Sequence, residues 1–357
     1  TSFTYDAAGN VLSVTDPLNH TTAYTYNSLN QMTQMTDPRS NVTQYQYDYK
    51  GNITRITDAN SNQTNYAYNY RGQAIQITDA LNNITRMTYG PSGCSGCGGA
   101  EKLTALTDAL SQSTTYTYDT AGRMVTETDP LSRSTAFAYN SRGRLTSRTK
   151  PDNGTITYVY DAAGRILEKH YPDNTTATYS YDQNGNMITA ANQNIGYAFT
   201  YDVNNRLTGV TDSFYRTVTY QYDAAGNRTS MTSPEGLTTT YTYNDAGRLT
   251  GTGNFAGNFT LAYDAAGRRT QLAYPNGTTA AYTYDAAGNM TLIRHANSGD
   301  ITLAATSYTY NSINNRITRN TAGYTYDAVS RLTYSTAGES YTYDGVGNRL
   351  TGPNTTD

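Results

Sequence analysis

Two cysteines are the residues whose type and spacing most directly suggest chemistry. Cys94 and Cys97 are the only cysteines of the chain, and they form a Cys-x-x-Cys pair in a glycine-rich stretch. This spacing is common in metal knuckles and in redox motifs. A closed zinc site needs four ligands, however, and the sequence offers no second pair or nearby histidine; a redox pair usually begins a helix, which is not predicted here. A loop-stapling disulfide, two free thiols, a metal shared with another segment or chain, and redox activity all remain open.

The other residues with chemical potential do not form sites in the sequence. His20, His170 and His295 lie far apart, and none forms a pattern with Ser, Cys or a carboxylate that is typical of a catalytic set. The recurring aspartates could bind Ca²⁺ through their oxygens, but the capping of turns explains them more economically. The sequence therefore predicts no catalytic residue and no cofactor, and Cys94 and Cys97 stay the weak metal candidates.

The chain is built from copies of a repeated unit. Residues 282–289, Tyr-Thr-Tyr-Asp-Ala-Ala-Gly-Asn, are a clear copy. The copies recur most often at intervals of 21 residues. Alternation of tyrosine with small polar residues predicts a half-buried β-strand. Asp285 then begins a tight turn, and Gly288 stands where the backbone must enter the left-handed region. Each copy is therefore predicted to be the first half of a β-hairpin.

The last tyrosine of each copy is here called the anchor. The residue four positions after the anchor tests whether the copies share one register. This residue is glycine in 13 of 17 copies, and Asn30, Asn205 and Asn314 fill three more. Glycine, and at some cost asparagine, enters the left-handed region easily. Only Ser330 departs from that rule. The sequence therefore predicts about 17 tandem hairpins in a single array over residues 1–357. The anchors are Tyr5, Tyr26, Tyr47, Tyr68, Tyr89, Tyr118, Tyr139, Tyr160, Tyr181, Tyr201, Tyr222, Tyr243, Tyr263, Tyr284, Tyr310, Tyr326 and Tyr343. The structural glycines are Gly9, Gly51, Gly72, Gly122, Gly143, Gly164, Gly185, Gly226, Gly247 and Gly288.

The segment after each turn predicts the returning strand. Apolar residues stand six and nine places beyond the anchor, as at Ile53 and Ile56, and this odd separation predicts either a bulge after the turn glycine or a change of face. The strand then reaches a second turn, such as Thr15-Asp16-Pro17. Because one hairpin is marginal alone, the hairpins are expected to stack into one long antiparallel sheet with tyrosine ladders, curved or spiralling as a shell, tube or solenoid.

Composition limits the classes of partner. Hydrophobic residues make up only 36%, but 36 tyrosines can supply burial, and tryptophan is absent. A net charge of -3 provides no basic track for nucleic acid, and no apolar run is long enough to insert into a membrane. Several arginines follow the turn glycine: Arg123, Arg144, Arg165, Arg248 and Arg268. They predict repeated pairs with the Asp that opens the turn, with a surface for anionic glycans as the alternative.

One interval departs strongly from the period. Tyr89 and Tyr118 are 29 residues apart, and the additional residues predict an insertion loop, 93–100, at the tip of the fifth hairpin. Both ends fall close to predicted strands and look truncated, so we expect the chain to be a segment of a longer polypeptide.

The recurring Tyr-Asp-Ala-Ala-Gly-Asn/Arg, followed by an apolar strand and Thr-Asp-Pro, resembles the YD repeats of the Rhs family, which also occur in teneurins and in Tc toxin shell subunits. The resemblance covers essentially the whole chain. It implies hairpins that spiral into a hollow shell; bacterial shells enclose a toxin released by an aspartyl autoprotease, and animal shells act in adhesion. The segment that would carry the protease has no counterpart here, so no catalytic residue is carried over.

Together these observations predict a non-enzymatic wall segment, secreted or on the cell surface and bacterial in origin, as in toxin encapsulation and delivery. The expected partners are flanking repeats or other copies of the chain, with an enclosed toxin or surface glycans as further possibilities. An extracellular adhesin or filament-forming protein, which binds glycans, neighbouring cells or its own copies, is the alternative.

Overall fold

The computed structural model describes residues 1–91 and 101–352. Cys94, Cys97 and the whole predicted insertion loop, 93–100, lie outside the described residues, so their possible roles stay as the sequence left them. Among the residues that are described, no helix is both long and apolar enough to cross a membrane.

The described residues form β-strands joined by short turns. In chain order the strands are β1 Ser2–Tyr5, β2 Val11–Thr15, β3 Thr21–Tyr26, β4 Met32–Thr36, β5 Val42–Tyr47, β6 Ile53–Thr57, β7 Gln63–Tyr68, β8 Ala74–Thr78, β9 Ile84–Pro91, β10 Glu101–Thr107, β11 Ser113–Tyr118, β12 Met124–Thr128, β13 Ser134–Tyr139, β14 Leu145–Thr149, β15 Thr155–Tyr160, β16 Ile166–His170, β17 Thr176–Tyr181, β18 Met187–Ala191, β19 Gly196–Tyr201, β20 Leu207–Asp212, β21 Thr217–Tyr222, β22 Arg228–Thr232, β23 Thr238–Tyr243, β24 Leu249–Asn254, β25 Gly257–Tyr263, β26 Arg269–Ala273, β27 Thr279–Tyr284, β28 Met290–Ala296, β29 Thr302–Tyr310, β30 Arg316–Arg319, β31 Ala322–Tyr326, β32 Leu332–Ser335, β33 Thr342–Tyr343 and β34 Arg349–Thr351.

The first 32 strands form one antiparallel sheet, and β33 pairs with β34. Neighbours in the sheet are neighbours in the chain: β3 pairs with β4, β4 with β5, and β5 with β6. The predicted all-β meander of tandem hairpins is confirmed. Turns that follow an anchor tyrosine are here called first turns. Because the strands alternate in direction, the described first turns of this sheet lie along one rim of the strip. The turns between hairpins, here called second turns, lie along the other rim.

A bulge decides which side chains share a face. In the hairpin of β3 and β4, Tyr26 is opposite Met32 and Tyr24 is opposite Met35, but one additional residue lies between the two methionine pairs. Opposed side chains point to the same face, so both tyrosines and both methionines lie together. The same shift recurs in the other hairpins whose register is defined. The predicted bulge after the turn is confirmed.

The sheet has an aromatic face and a threonine-rich face. On the second face, hydroxyls form cross-strand pairs such as Thr15 with Thr21, whose oxygens are 2.8 Å apart. Among the described residues the buried apolar side chains are only Ala177, Ala280 and Ala296, and no large side chain is fully buried. Most of the tyrosines in the strands are half-buried, so they and not a set of fully buried side chains supply the burial among the described residues.

Contacts divide the chain into two compact units. The first unit combines Thr1–Thr88, Leu106–Ser113 and Leu261–Asp357; the second combines Tyr89–Ala105 and Thr114–Thr260. That the whole chain behaves as one array of about 17 repeats stays a prediction.

Candidate functional site

The first turns are built around the side chain of the residue after the anchor. In the turn that follows Tyr118, one carboxylate oxygen of Asp119 accepts the backbone N–H groups of Ala121 and Arg123, each at 2.9 Å. The other oxygen accepts the Arg123 Nε at 2.7 Å. Gly122, at φ 75°, donates its N–H to the Asp119 carbonyl. The Arg123 side chain and then its backbone N–H stabilise the ionised carboxylate, so they hold the pKa of Asp119 below its usual value.

The predicted left-handed slots that fall within residues 1–91 and 101–352 have positive φ. Gly9, Gly51, Gly72, Gly122, Gly143, Gly164, Gly185, Gly226, Gly247 and Gly288 have φ between 70° and 95°. Asn30, Asn205 and Asn314 have φ of 60°, 60° and 67°. Ser330, which breaks the sequence rule, has the same conformation at φ 67°, and its N–H still donates to the Asp327 carbonyl. The turn geometry therefore tolerates a small residue with a β-carbon.

The second turns have the same design: the backbone contact of the opening Asp was predicted from the sequence, but the left-handed slot was not. Asp16 Oδ1 accepts the N–H groups of Leu18 and His20 at 2.8 and 2.9 Å, and Asn19 occupies the left-handed slot at φ 64°. In successive second turns this slot is filled by Asn19, Ser40, Ser61, Asn82 and Ser111, all with positive φ. The signal in the sequence was a serine or asparagine three residues after the Asp of most Thr-Asp steps; after Thr211-Asp212 the slot holds Tyr215, at φ 63°.

The anchor tyrosines join each repeat to the one before it. Tyr160 donates its hydroxyl to the carbonyl of Leu145 at 2.7 Å. Leu145 is the first residue of β14, and the β14–β15 ladder begins only at Ser147, so the tyrosine occupies a carbonyl that the bulge leaves outside the ladder. Partial burial raises the pKa of the Tyr160 hydroxyl, which stays a donor at neutral pH.

This hydroxyl contact recurs along the wall. Anchors that make it are Tyr26, Tyr47, Tyr68, Tyr118, Tyr139, Tyr160, Tyr181, Tyr201, Tyr222, Tyr243, Tyr284, Tyr310, Tyr326 and Tyr343. Tyr5 ends β1 and is 57% exposed. The sequence predicted ladders of rings but not the hydroxyl contact, since the acceptor is a backbone atom that only the bulge exposes.

Arginines after the turn join neighbouring first turns. Arg165 Nε donates to Asp161 at 2.7 Å, and its Nη1 donates to the carbonyl of Asp182 in the next first turn at 3.0 Å. Its guanidinium lies over the ring of Tyr181, 4.7 Å from the centroid. The predicted Asp–Arg pair is also present at Arg123 and Arg268.

Two of the arginines do not form that pair. Arg144 and Arg248 follow turns that open with Asn140 and Asn244, whose neutral side chains accept only backbone N–H groups from the arginines. Arg144 instead donates to the Asp161 carbonyl at 2.8 Å. The prediction was wrong there because it took the opening residue to be Asp in every copy.

Within the first unit, second turns of early hairpins contact first turns of late hairpins along a line that we call the seam. Arg39 Nη2 donates to the carbonyl of Asn311 at 3.0 Å and to the side chain of Asn314, and its Nη1 lies 3.5 Å from Asp285 Oδ2. The Arg39 and Asp285 side chains are each only 19% exposed. The seam therefore holds a charge-assisted contact shielded from solvent.

A second contact extends the seam. Ser312 donates its hydroxyl to Asn60 Oδ1 and lies 3.4 Å from the carbonyl of Ala59. Further along, Gly345 is so close to the neighbouring turns that a β-carbon there would lie 3.2 Å from Asn83 Oδ1 and 3.3 Å from the Ala109 β-carbon. Ser312 and Gly345 both stand two residues after their anchors, so this position of a first turn also meets a second turn.

One cluster imitates the order of a catalytic triad. His170 Nε2 lies 3.1 Å from Glu168 Oε2, and its Nδ1 lies 3.1 Å from the Thr176 hydroxyl. The histidine and glutamate side chains are each 44% exposed on the open face of the sheet. At the equivalent position of other hairpins a Thr–Thr pair makes the same cross-strand contact, as in Thr149 with Thr155. The cluster is therefore a surface variant of a structural pair.

The other histidines and the acidic residues offer no metal centre. His20 pairs with Asp16 at 3.1 Å, while His295 lies in β28. Across residues 1–91 and 101–352, no group of three or more His, Cys, Asp or Glu side chains could hold a metal ion.

Comparisons with known proteins identify the repeat. The family model described as the teneurin YD-shell matches residues 1–175 and 155–279, and the RHS repeat model matches residues 260–300. The crystal structure of TcdB2-TccC3-TEV matches 98% of this chain with a TM-score of 0.82 at 15% identity, and that of TcdB2-TccC3 matches 97% with 0.74 at 15%. A Tc holotoxin pore from Photorhabdus luminescens matches 99% with a TM-score of 0.59 at 16%.

These structural matches show a shared fold. The chain spans 23%, 23% and 21% of the lengths of those three solved chains. A comparison with curated proteins gave no match.

Proposed function

The chain belongs to the teneurin YD-shell family, and from that premise we propose that it is a wall segment of a hollow shell that encloses a polypeptide. The RHS/YD resemblance predicted from the sequence is confirmed. The wall acts as a barrier and not as a catalyst, so its functional residues are those that keep it continuous.

The observation that carries the proposal is the sealing of each repeat to its neighbour. Tyr160 binds the previous hairpin through its hydroxyl, while Arg165 reaches the next first turn. These contacts are added to the backbone ladder, and they repeat along the strip. A sheet with bonds at its ladder, at its bulges and at its turns leaves few places where a chain could pass through it, which is what a container requires.

We propose further that the wall is part of a secreted or cell-surface bacterial polypeptide. Flanking repeats would complete the shell, and a toxin domain would be its cargo. The half-buried aromatic face and the hydroxyl-rich face give the wall two different surfaces, so one can contact a cargo while the other faces water.

Protease protection tests this function. The natural full-length polypeptide that contains this segment would be treated with protease before and after the wall is unfolded in urea. We expect the enclosed segment to be cut only after the wall unfolds. Equal rates of cutting in both conditions would overturn the proposal, as would images of that polypeptide that show a flat sheet. Turnover in a polysaccharide lyase or hydrolase screen would contradict the absence of catalysis.

An adhesin is the second candidate, because aromatic side chains are exposed at the tips of several turns. Tyr49 is 89% exposed, Tyr215 is 91% exposed and Phe255 is 83% exposed. Such residues are common in binding surfaces for proteins and glycans. Binding to glycan arrays or to cells by the isolated chain, with no protected cargo in the longer polypeptide, would favour this function.

A further inference from the structure

Two adjacent first turns carry tyrosines at the position that contacts a neighbouring turn in the seam. Tyr49 and Tyr70 stand two residues after their anchors, as Ser312 and Gly345 do, but their side chains are 89% and 71% exposed. Lys50 lies over the ring of Tyr49 at 5.6 Å, and Arg71 lies over that of Tyr70 at 5.2 Å and donates to its hydroxyl. The first rim therefore presents a basic aromatic patch, here called the tyrosine tips.

The tyrosine tips lie on the rim opposite to the one through which the same hairpins form the seam. Hairpins of the first unit engage late first turns through their second turns, at Arg39 and Asn60. The first turns of the same region carry Tyr49 and Tyr70 at the position equivalent to Ser312. Their side chains are too large for the close approach that Ser312 makes to a second turn. A partner rim must therefore provide a recess for a ring.

Such a recess lies on the second rim of the second unit. A cavity of about 440 Å³ is lined by Tyr171, Pro172, Asp173 and Ala177, with Lys150 and Gln193 at its sides. An aromatic ring can stack on proline and on Tyr171 there, because flat apolar surfaces suit ring contacts. Ala177 is buried and adds apolar surface to the lining, which Thr175 and Asn192 complete.

Charge and spacing match as well. Asp173 lines the cavity, and Asp152 stands on the preceding second turn, where its side chain is 66% exposed and pairs with Lys150 at 3.2 Å. Lys50 and Arg71 stand on successive first turns, and Lys50 Nζ also donates to the Tyr70 carbonyl. Each pair is separated by two strands, which is about 10 Å in any such sheet, so one alignment brings both cations opposite both carboxylates.

From these features we infer that the tyrosine tips of one copy of this chain dock into the second-rim cavity of a second copy. The two surfaces differ, so the contact is heterologous and leaves one tip and one cavity free on each pair. Copies joined by such a contact form a ring if the rotation between them closes and an open chain if it does not, and in both cases association depends on protein concentration. This association goes beyond the proposed containment function and does not depend on it.

The test is sedimentation velocity of the purified chain at rising concentration, up to about 1 mM, the weak limit of specific association. We expect the wild type to form a concentration-dependent series of oligomers. The double variant Tyr49→Ser and Tyr70→Ser places serine at both tips, the residue type that Ser312 has at the equivalent position. It should weaken association about tenfold or more. Tyr215→Asn is the matched control, since it removes an exposed tyrosine from a different turn and should leave association unchanged.

Mixing distinguishes this contact from others. Gln193→Trp places an indole at the rim of the cavity, and this variant alone, like the double serine variant alone, should associate about tenfold or more weakly than the wild type. Mixed together they should form a 1:1 dimer and nothing larger, since one intact tip patch meets one intact cavity. Asp152→Asn with Asp173→Asn keeps the turn contacts that Asn276 makes in its own turn, and should weaken association and reduce its dependence on salt.

Three results would overturn the inference. They are a wild type that stays monomeric over the whole range, a double serine variant that associates like the wild type, and a mixture that gives no dimer although circular dichroism shows both variants folded. Binding of the tyrosine tips to glycans with no self-association would assign them to a different partner and equally reject this one.

Discussion

The anchor hydroxyl provides the sharpest test of how the wall is held together. Tyr160→Phe keeps the ring and its place beside Arg144, and removes only the hydrogen bond to the Leu145 carbonyl at 2.7 Å. A net hydrogen bond contributes about 0.5–1.5 kcal/mol, and a half-buried carbonyl left without a donor costs about 1–3 kcal/mol. Because water can reach part of this site, we expect the free energy of unfolding to fall by about 1–2 kcal/mol.

The matched control is Tyr158→Phe. Tyr158 lies on the same strand and the same face, is similarly half-buried, and is opposite Lys169 in the register. No hydroxyl contact to an upstream carbonyl is formed by Tyr158, so its loss should change stability by about 0.5 kcal/mol or less. Urea unfolding followed by circular dichroism should show a lower midpoint for Tyr160→Phe with an unchanged slope.

Equal midpoints for the two variants would refute the reasoning. They would mean that the anchor position is favoured for its ring alone, and that water replaces the hydroxyl without loss. A change in slope for Tyr160→Phe would instead indicate that hairpins unfold separately, and native-state hydrogen exchange of β14 and β15 would then give the local free energy.

Three further predictions concern the seam and the turns. Arg39→Ala should loosen the seam at Asp285 by about 1–3 kcal/mol, which amide hydrogen exchange would report as faster exchange in that first turn. The pKa of Asp119 is lower in the folded than in the unfolded chain, so this carboxylate stabilises the fold fully above the unfolded pKa of about 3.9. That stabilisation is lost as the pH falls through the lower, folded pKa. Melting temperatures measured between pH 7 and about pH 2 should show the loss, and Asp119→Asn should make it smaller. Gly226→Ala should cost about 1–2 kcal/mol because φ is 91°, and Gly226→Asn should cost less, as measured by urea midpoints.

Each of these predictions has its own control. Exchange in the second unit should not change in Arg39→Ala, and a uniform increase would indicate global destabilisation. Asn140 opens an equivalent turn in the wild type, so Asp119→Asn should fold; an acid response equal to that of the wild type would contradict the role of this carboxylate. Apart from Gly226 itself and its two neighbours in the chain, no heavy atom lies within 4 Å of a β-carbon built there, so a cost for Asn equal to that for Ala would argue against backbone strain as the cause.

Local stereochemistry made much of the fold predictable from the sequence. A glycine four residues after an anchor and an Asp one residue after it specify a turn without reference to the rest of the chain. The odd spacing of Ile53 and Ile56 similarly required a bulge or a change of face, and the register selected the bulge. These are properties of a few consecutive residues, so one sequence suffices to read them.

Contacts that depend on three-dimensional register were not predictable. The acceptor of the Tyr160 hydroxyl is a backbone carbonyl 15 residues upstream. Every residue type has this carbonyl, so the sequence does not mark the acceptor. Arg39 looks like any other turn residue until the chain brings Asn311 beside it. The second-turn slots were missed for another reason: Asn and Ser are common in this chain, so their recurrence stood out less than that of glycine.

The backward reach of the anchor hydroxyls has a consequence for synthesis. Each tyrosine finds its acceptor in residues that have already left the ribosome, as Tyr47 does at Met32. A newly made hairpin can therefore settle on a finished template without waiting for any later part of the polypeptide. Nearest-neighbour growth of this kind avoids distant searching and keeps unfinished intermediates short. The order of translation and the order of assembly run in the same direction.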